Sequence, residues 1–204
     1  MESAPAHPPG SPDARGEAVL EALAARRSHP RLAPDEPAPL AEIARALEYA
    51  VLAPNHRLTQ PWRFTVVSGE ARGRIGRALA QEAVAQGRLD PARAPLEAAK
   101  WRRAPAVVVV SHLPAADPVT AAEDRLAVGA AVENLLLALE ALGLRAMWRT
   151  GASARSAAVR RALGLAPEEE IDALVYVGRP AADAPPPAPR RRAPAAERTR
   201  WIDR

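Results

Sequence analysis

The chain of 204 residues is long enough for one domain with tails, and its 48% hydrophobic residues with only 3% aromatic ones predict a mainly aliphatic core. Of the net charge of +4, the segment from Ala181 onward carries +3 (six arginines against three acids), which leaves +1 for the body and argues against a nucleic-acid-binding face. The absence of cysteine excludes disulfides, thiolate metal sites and a cysteine nucleophile.

The two ends of the chain differ from its middle in composition. Residues 1–16 contain four prolines and two glycines but almost no large apolar side chain, so we expect a disordered leader. This leader lacks the charged-then-apolar pattern of a signal peptide, and no apolar run in the chain approaches the roughly 18 residues that span a bilayer. Residues 181–204 form a tail rich in Pro and Arg, for which composition also predicts disorder. We expect a cytoplasmic protein without a membrane partner.

Two helices are predicted at the start of the domain, which we place at residues 17–180. The first, Glu17–Ser28, ends in an Arg-Arg-Ser triplet, and His29-Pro30 terminates it. An arginine-rich last turn can simply complement the helix dipole, so the triplet alone does not identify a site. The second helix, over about Pro39–Leu52, has apolar residues at spacings of three and four and leads into a polar loop.

The polar loop spans Ala53–Phe64 and connects this helix to the first predicted strand. Pro54 and Pro61 stiffen its ends because proline fixes φ and restricts the residue before it. Five side chains with hydrogen-bonding groups lie between the prolines: Asn55, His56, Arg57, Thr59 and Gln60. Such a loop suits a small-molecule site, but a polar turn with Trp62 as a core anchor explains the composition equally well.

Beyond the loop, strand and helix patterns predict an α+β domain. Helices are predicted at Glu70–Gln86, Leu96–Trp101, Thr120–Leu142 and Ala152–Leu163, and strands at Arg63–Ser68, Ala106–Ser111, Leu144–Thr150 and Ile171–Gly178. The four valines that begin at Val107 do not alternate with polar residues, which is typical of a strand buried on both faces.

The helix predicted at Thr120–Leu142 is the longest and is apolar on nearly every side. Thr120 and Glu123 have the spacing of a capping box, and Gly143 is a natural C-terminal stop. A helix without a polar face is buried all round. Packing against a second subunit would achieve this, and so would a central position in a monomer.

Common catalytic and nucleotide-binding motifs are absent from the sequence. There is no Gly-x-Ser-x-Gly elbow, no phosphate-binding glycine motif and no histidine spacing that suits a metal. We therefore predict no metal site and no nucleophile of the serine hydrolase type.

Three separated motifs nevertheless resemble one family in order and content. The segments are RRSHPRL (residues 26–32), APNHRLTQPWRF (residues 53–64) and LGLRAMWRTG (residues 142–151). They resemble the nitroreductase family, above all its small single-domain NAD(P)H nitroreductases. The likeness covers residues 17–180. It implies a four-stranded, mainly antiparallel sheet flanked by helices, and a homodimer with FMN at the subunit interface.

The same resemblance implies the chemistry and the residues of the site. NAD(P)H would be the co-substrate, and a small-molecule acceptor such as a nitroaromatic or quinone would be reduced by ping-pong hydride transfer. The residues implied in cofactor binding are Arg26, Arg27, Ser28, Arg31, His56, Gln60, Trp148, Arg149 and Thr150. No side chain is implied as a nucleophile, because the flavin performs the chemistry.

Some details of the site stay open in the sequence. Larger family members have Asn where this chain has Leu58, so His56 is expected to replace that flavin contact. His56 is also the one candidate proton donor, although a loop histidine can instead cap a backbone carbonyl. The resemblance further implies that the C-terminal tail wraps the partner subunit.

Two alternative functions remain compatible with these residues. One is an FMN enzyme of the same fold with different chemistry, such as reductive dehalogenation or flavin breakdown. The other is a flavin-binding or partner-binding protein without turnover, with the arginine-rich tail as an interaction arm.

Overall fold

The computed structural model describes residues 13–186 and 192–203, in which four antiparallel strands form one sheet. The strands are β1 (Trp62–Ser68), β2 (Ala106–His112), β3 (Arg145–Arg149) and β4 (Glu170–Gly178). Their order is β1-β2-β4-β3, so β2 and β4 are central and β3 is an edge strand. The prediction of an α+β fold with a mainly antiparallel four-stranded sheet is confirmed.

Helices cover both faces of this sheet. They are α1 (Ala14–Ala25), α2 (Leu40–Ala50), α3 (Glu70–Ala85), α4 (Ala94–Ala99), α5 (Pro118–Ala141), α6 (Ala152–Arg155) and α7 (Ala157–Leu163). Among the described residues, no helix is long and apolar enough to cross a membrane, and no group of three or more potential ligands is arranged to hold a metal.

Strand β2 divides the core into two apolar clusters. Val108 and Val110 pack with residues of α2 and α5 on one face, whereas Val107 and Val109 pack with residues of α3 and α7 on the other. Every residue of β2 is buried. The unalternating valine run therefore has the two-faced burial that its sequence predicts.

Helix α5 lies across one face of the sheet, but a single chain does not bury it on all sides. The side chains of Val128, Val132 and Leu135 are buried, whereas Leu126 is 77% exposed. The predicted capping box at Thr120 and Glu123 is wrong. The helix begins earlier, at Pro118, because Asp117 is the N-cap and its carboxylate accepts a hydrogen bond from the Thr120 amide at 2.8 Å.

Several other boundaries differ from the predictions for local reasons. Helix α1 begins at Ala14 because Asp13 caps it. Residues 13–16, which were predicted to belong to a disordered leader, therefore lie in this cap and helix. Residues 1–12 of the predicted leader lie outside the described residues. Its last residue is Ala25, so the Arg-Arg-Ser triplet follows the helix instead of forming its last turn. The helix predicted after β3 is divided at Ser156, whose hydroxyl accepts from the Val159 amide at 3.0 Å.

The C-terminal tail is described at residues 181–186 and 192–203. It contains one short 3-10 turn, Ala195–Arg198, and the side chain of Trp201 is 65% exposed. Trp201 is therefore mostly exposed in one chain, and the wrapping of the tail around a partner subunit stays a prediction.

Candidate functional site

The segment after α1 runs beside edge strand β3, which brings two of the three sequence motifs together. The amide of His29 donates to the carbonyl of Ala146 at 3.0 Å, and Leu32 forms an isolated antiparallel bridge with Pro180. Residues 26–32 thus lie beside the start of the strand that contains Trp148 and Arg149 and reach the residues that follow β4. Local sequence could not reveal this pairing, because it joins parts of the chain more than a hundred residues apart.

The arginines of the first motif already have partners. Arg26 Nε lies 3.1 Å from Glu133 Oε1 on α5, and Arg31 pairs with Asp183 near the start of the tail. Arg27 donates to two backbone carbonyls, one of them that of Arg26 at 2.9 Å. A phosphate bound by Arg26 or Arg31 must therefore compete with a carboxylate. Ser28 is exposed beside them.

His29, which sequence reasoning missed as a site residue, lies partly buried within this motif. Its Nε2 is 4.0 Å from Glu140 Oε2, too far for a hydrogen bond, and this buried atom has no hydrogen-bond partner among the described residues. Burial lowers the pKa of His29, and the positive charges of Arg145, Arg26 and Arg27 lower it further, against the opposing effect of Glu140. The ring is therefore neutral near pH 7, and its buried Nε2 is left without a partner among the described residues.

Strand β3 presents its residues alternately to the two faces of the sheet. Trp148 pairs with Val175, whose side chain belongs to the cluster under α5, while Arg149 pairs with Leu174 of the opposite cluster. Trp148 and Arg149 therefore point to different faces, and Thr150 is exposed directly after the strand. The third motif thus supplies contacts on both sides of one sheet edge.

The central loop is anchored to the N-terminal half of α5. His56 Nδ1 lies 2.7 Å from Glu123 Oε2, and Thr59 Oγ1 donates to Asp124 Oδ1 at 2.6 Å. Within the loop, the amide of Gln60 donates to Asn55 Oδ1 at 3.0 Å. These bonds use the side chains that the sequence marked as a polar cluster, and they place the loop beside the helix.

The backbone of this loop is strained at three positions. Arg57, Leu58 and Gln60 have φ values of 53°, 54° and 46°, which non-glycine residues seldom adopt. Such conformations cost about 1–3 kcal/mol each and are concentrated at functional sites. This strain is a second sign, independent of the sequence motif, that the loop is shaped for binding.

The three motifs do not form a single pocket within one chain. The loop contacts α5 at Glu123, whereas Arg26 contacts it at Glu133, ten residues further along. At 1.5 Å per residue these two anchor points are about 15 Å apart along the helix axis. The first and third motifs are neighbours; the loop of the second motif lies apart from them.

An apolar groove of about 550 Å³ opens between α1, α2 and α5 on the same side of the molecule. Its walls include Val19, Tyr49, Leu52 and Leu137, and the first three side chains are each more than 40% exposed. Because apolar patches of this kind on a protein surface mark interaction sites, the groove is a candidate interface.

A buried polar pair, not expected from the sequence, lies at the far end of β2. His112 is fully buried, and its Nδ1 lies 2.6 Å from Asp172 Oδ2 on β4. Burial raises the pKa of Asp172, although the hydrogen bond and charge of His112 and the charge of Arg125 oppose the rise. The pair joins two central strands and lies away from the Arg-Arg-Ser segment.

Comparisons with known proteins agree on one family. The profile of the Nitroreductase family matches residues 23–179. The protein named “Putative NAD(P)H nitroreductase YdjA” of Escherichia coli strain K12 is 36% identical over 163 residues, which make up 79% of this chain and 88% of that protein.

Two solved structures show the same fold. A nitroreductase-like family protein from Bacillus cereus superposes with a TM-score of 0.78 at 21% identity, over 99% of this chain and 98% of the other. A structure described as “a putative nitroreductase in complex with fmn” from Desulfovibrio desulfuricans has a TM-score of 0.65 at 30% identity, over 89% and 94% of the two chains.

Proposed function

The chain belongs to the nitroreductase family, and we propose that it is an FMN-dependent oxidoreductase that uses NAD(P)H to reduce electron-poor acceptors such as nitroaromatics or quinones. When bound, FMN supplies the hydride chemistry, and the protein binds, orients and shields it. The observation that carries the proposal is the meeting of the Arg-Arg-Ser segment with the edge strand of Trp148 and Arg149.

The residues at this edge fit the cofactor. Guanidinium groups such as those of Arg26 and Arg27 suit the phosphate of FMN, because they offer planar, charged donors. The unpartnered Nε2 of His29 indicates a polar group that a ligand or water must satisfy. The indole of Trp148 is 39% exposed, which leaves an apolar surface for a ring system.

We propose that a homodimer completes the site. Within one chain the central loop and the Arg-Arg-Ser segment meet α5 about 15 Å apart, and apolar side chains of α1, α2 and α5 remain exposed. A second copy packed on this face would cover the groove and bring the loop of one subunit towards the first motif of the other. The FMN site at a subunit interface would then contain all three motifs.

His56 is proposed to position the cofactor and not to act as an essential acid. Its Nδ1 contacts Glu123 at 2.7 Å, so the side chain is held in one orientation on the loop. The reduced acceptor needs a proton, which water can deliver at an exposed site such as this one. No other side chain of the site is required as an acid or a nucleophile.

The proposal is tested by the absorption spectrum of the purified protein after incubation with FMN and gel filtration. A yellow protein whose colour bleaches within the mixing time on addition of NADH or NADPH supports it. Initial rates with varied NAD(P)H and acceptor should then give parallel double-reciprocal lines, because both substrates use one place in turn. A protein that retains no flavin contradicts the proposal. A yellow protein that neither nucleotide bleaches is a binding protein without this turnover.

A further inference from the structure

The buried pair of His112 and Asp172 lies on the face of the sheet that α5 covers. His112 is directly opposite Trp62 in the ladder between β2 and β1, and directly opposed residues of neighbouring strands point to the same face. Trp62 belongs to the same core cluster as Ala127 and Val128 of α5. It is also the residue at which the central loop becomes strand β1. The pair therefore lies between the helix that anchors the loop and the strand that continues it.

A β-bulge aims Asp172 at the imidazole. In the ladder between β2 and β4, Ala173 is opposite Val110, and Ile171 is opposite the next residue of β2, so Asp172 is the extra residue of β4. Ile171 and Ala173 accordingly belong to different core clusters, although residues two apart in a regular strand point to one face. Bulges re-aim side chains in this way, and they are over-represented next to active sites.

Packing alone does not explain a polar pair at this position. Residues 106–110 of β2 are Ala and four valines, whereas His112, at the end of the same strand, is fully buried against a carboxylate. Taking an imidazole and a carboxylate out of water costs free energy, and apolar residues in place of a buried polar pair are often neutral or stabilising. The pair therefore indicates a role in fixing geometry.

Helix α5 connects this pair to the central loop. Arg125 Nε lies 4.0 Å from Asp172 Oδ1, and the two residues that precede Arg125 in the helix hold His56 and Thr59 of the loop. The loop has left-handed backbone at three non-glycine positions. Such strain persists only where the surrounding structure over-determines it. The loop therefore depends on a firmly placed helix start.

We propose that His112 and Asp172 are positioning residues of the cofactor site, which together fix where the start of α5 and the central loop lie on the sheet. They act through Arg125 and Trp62 and not by contact with a ligand. This role rests on the proposed function, because the loop that the pair supports is one part of the proposed FMN site.

The test compares three variants of the full chain. His112→Leu removes the polar group, whereas His112→Asn keeps an amide near the position of the imidazole Nδ1. Ser111→Ala is the matched control, because this neighbouring hydroxyl donates to the buried Glu169 at 2.6 Å on the other face of the sheet.

Three quantities are measured on the flavin-free variants and the wild type. They are the dissociation constant of FMN, the free energy of unfolding in urea, and the hydrogen-exchange rates of the Thr59 and Gln60 amides. These two amides hydrogen-bond within the loop, to the carbonyl of His56 and to Asn55 Oδ1. Their exchange therefore reports on the loop whether or not FMN binds.

We expect His112→Leu to weaken FMN about 2- to 30-fold, the range for residues that act on a site through their neighbours. Exchange of the two loop amides should accelerate by a similar factor. His112→Asn should keep both quantities close to those of the wild type. Ser111→Ala should lower the free energy of unfolding but leave FMN affinity and loop exchange unchanged.

A purely structural role would give different results. Equal changes of FMN affinity and loop exchange in His112→Leu and Ser111→Ala overturn the proposal, and so does a His112→Leu variant that changes neither. Wild-type protein that binds no FMN refutes the proposed function instead, and the exchange rates then decide the role of the pair.

A second pair of variants serves if His112→Leu does not fold. Arg125 is 60% exposed and pairs with Glu170 as well as with Asp172, so Arg125→Gln loses both contacts and Glu170→Gln loses only one. Faster loop exchange in Arg125→Gln than in Glu170→Gln supports the proposal. Equal exchange in the two variants overturns it.

Discussion

The contact between Thr59 and Asp124 makes the strongest prediction about the central loop. Asp124 is only 6% exposed, and the Thr59 hydroxyl, at 2.6 Å, is the hydrogen-bond donor to its carboxylate. Thr59→Val keeps the side-chain shape but removes the donor. The carboxylate is then left with an unmet acceptor in a buried position, which costs about 1.5–3 kcal/mol.

This cost should appear in one of two measurable quantities. If the loop stays closed, the free energy of unfolding in urea falls by the full amount. If the loop opens locally, because the strain at Arg57, Leu58 and Gln60 favours release, the protein stays stable and FMN binds about 10- to 150-fold more weakly. Both quantities are therefore measured on the same variant.

Two further variants make the test specific. Thr65→Val on β1 removes a threonine hydroxyl with no hydrogen bond in the described residues and should change neither quantity. Glu123→Gln weakens the exposed contact to His56 and should cost less than about 1 kcal/mol, because exposed ion pairs contribute little. The reasoning is refuted if Thr59→Val has the same free energy of unfolding and the same FMN affinity as the wild type. It is also refuted if Thr59→Val loses less free energy than Glu123→Gln does.

Three other perturbations test the remaining steps. Leu126→Glu changes a side chain that is 77% exposed in one chain, so the subunit should still fold. Sedimentation of this variant should show a monomer. A dimer would show that this part of α5 lies outside the interface. His56→Gln at saturating FMN should keep turnover within about tenfold, below the usual contribution of a general acid, whereas a thousandfold loss with flavin bound would identify a proton donor. Because the pKa of His29 is lowered in the folded state, the wild type should lose stability as the pH falls below 6.5 towards that lowered value. His29→Gln should lose less stability over the same pH range. Equal pH dependence of the two proteins in urea unfolding would contradict this.

The local sequence predicted the main elements of this fold well because their signals are strong. The valine run at β2 predicts a strand buried on both faces, and the apolar stripe of α2 predicts a helix with one buried face. Both are present in the structure. The start of α5 was predicted at Thr120, whereas Asp117 is the N-cap in the structure. Pro118, which suits the first helical turn, is the residue that favours Asp117.

The candidate site was less predictable because its side chains meet distant partners. The motifs identify Arg26 and Arg31, but their pairing with Glu133 and Asp183 depends on how α5 and the tail fold back.

Helix α5 links these observations, because its carboxylates hold polar groups from two motifs. Glu123 and Asp124 hold the central loop, and Glu133 holds Arg26. The Asp124 contact is buried and should persist during binding. The Glu133 contact is partly exposed and should therefore contribute less. One helix thus anchors the loop through a buried contact and the first motif through a partly exposed one.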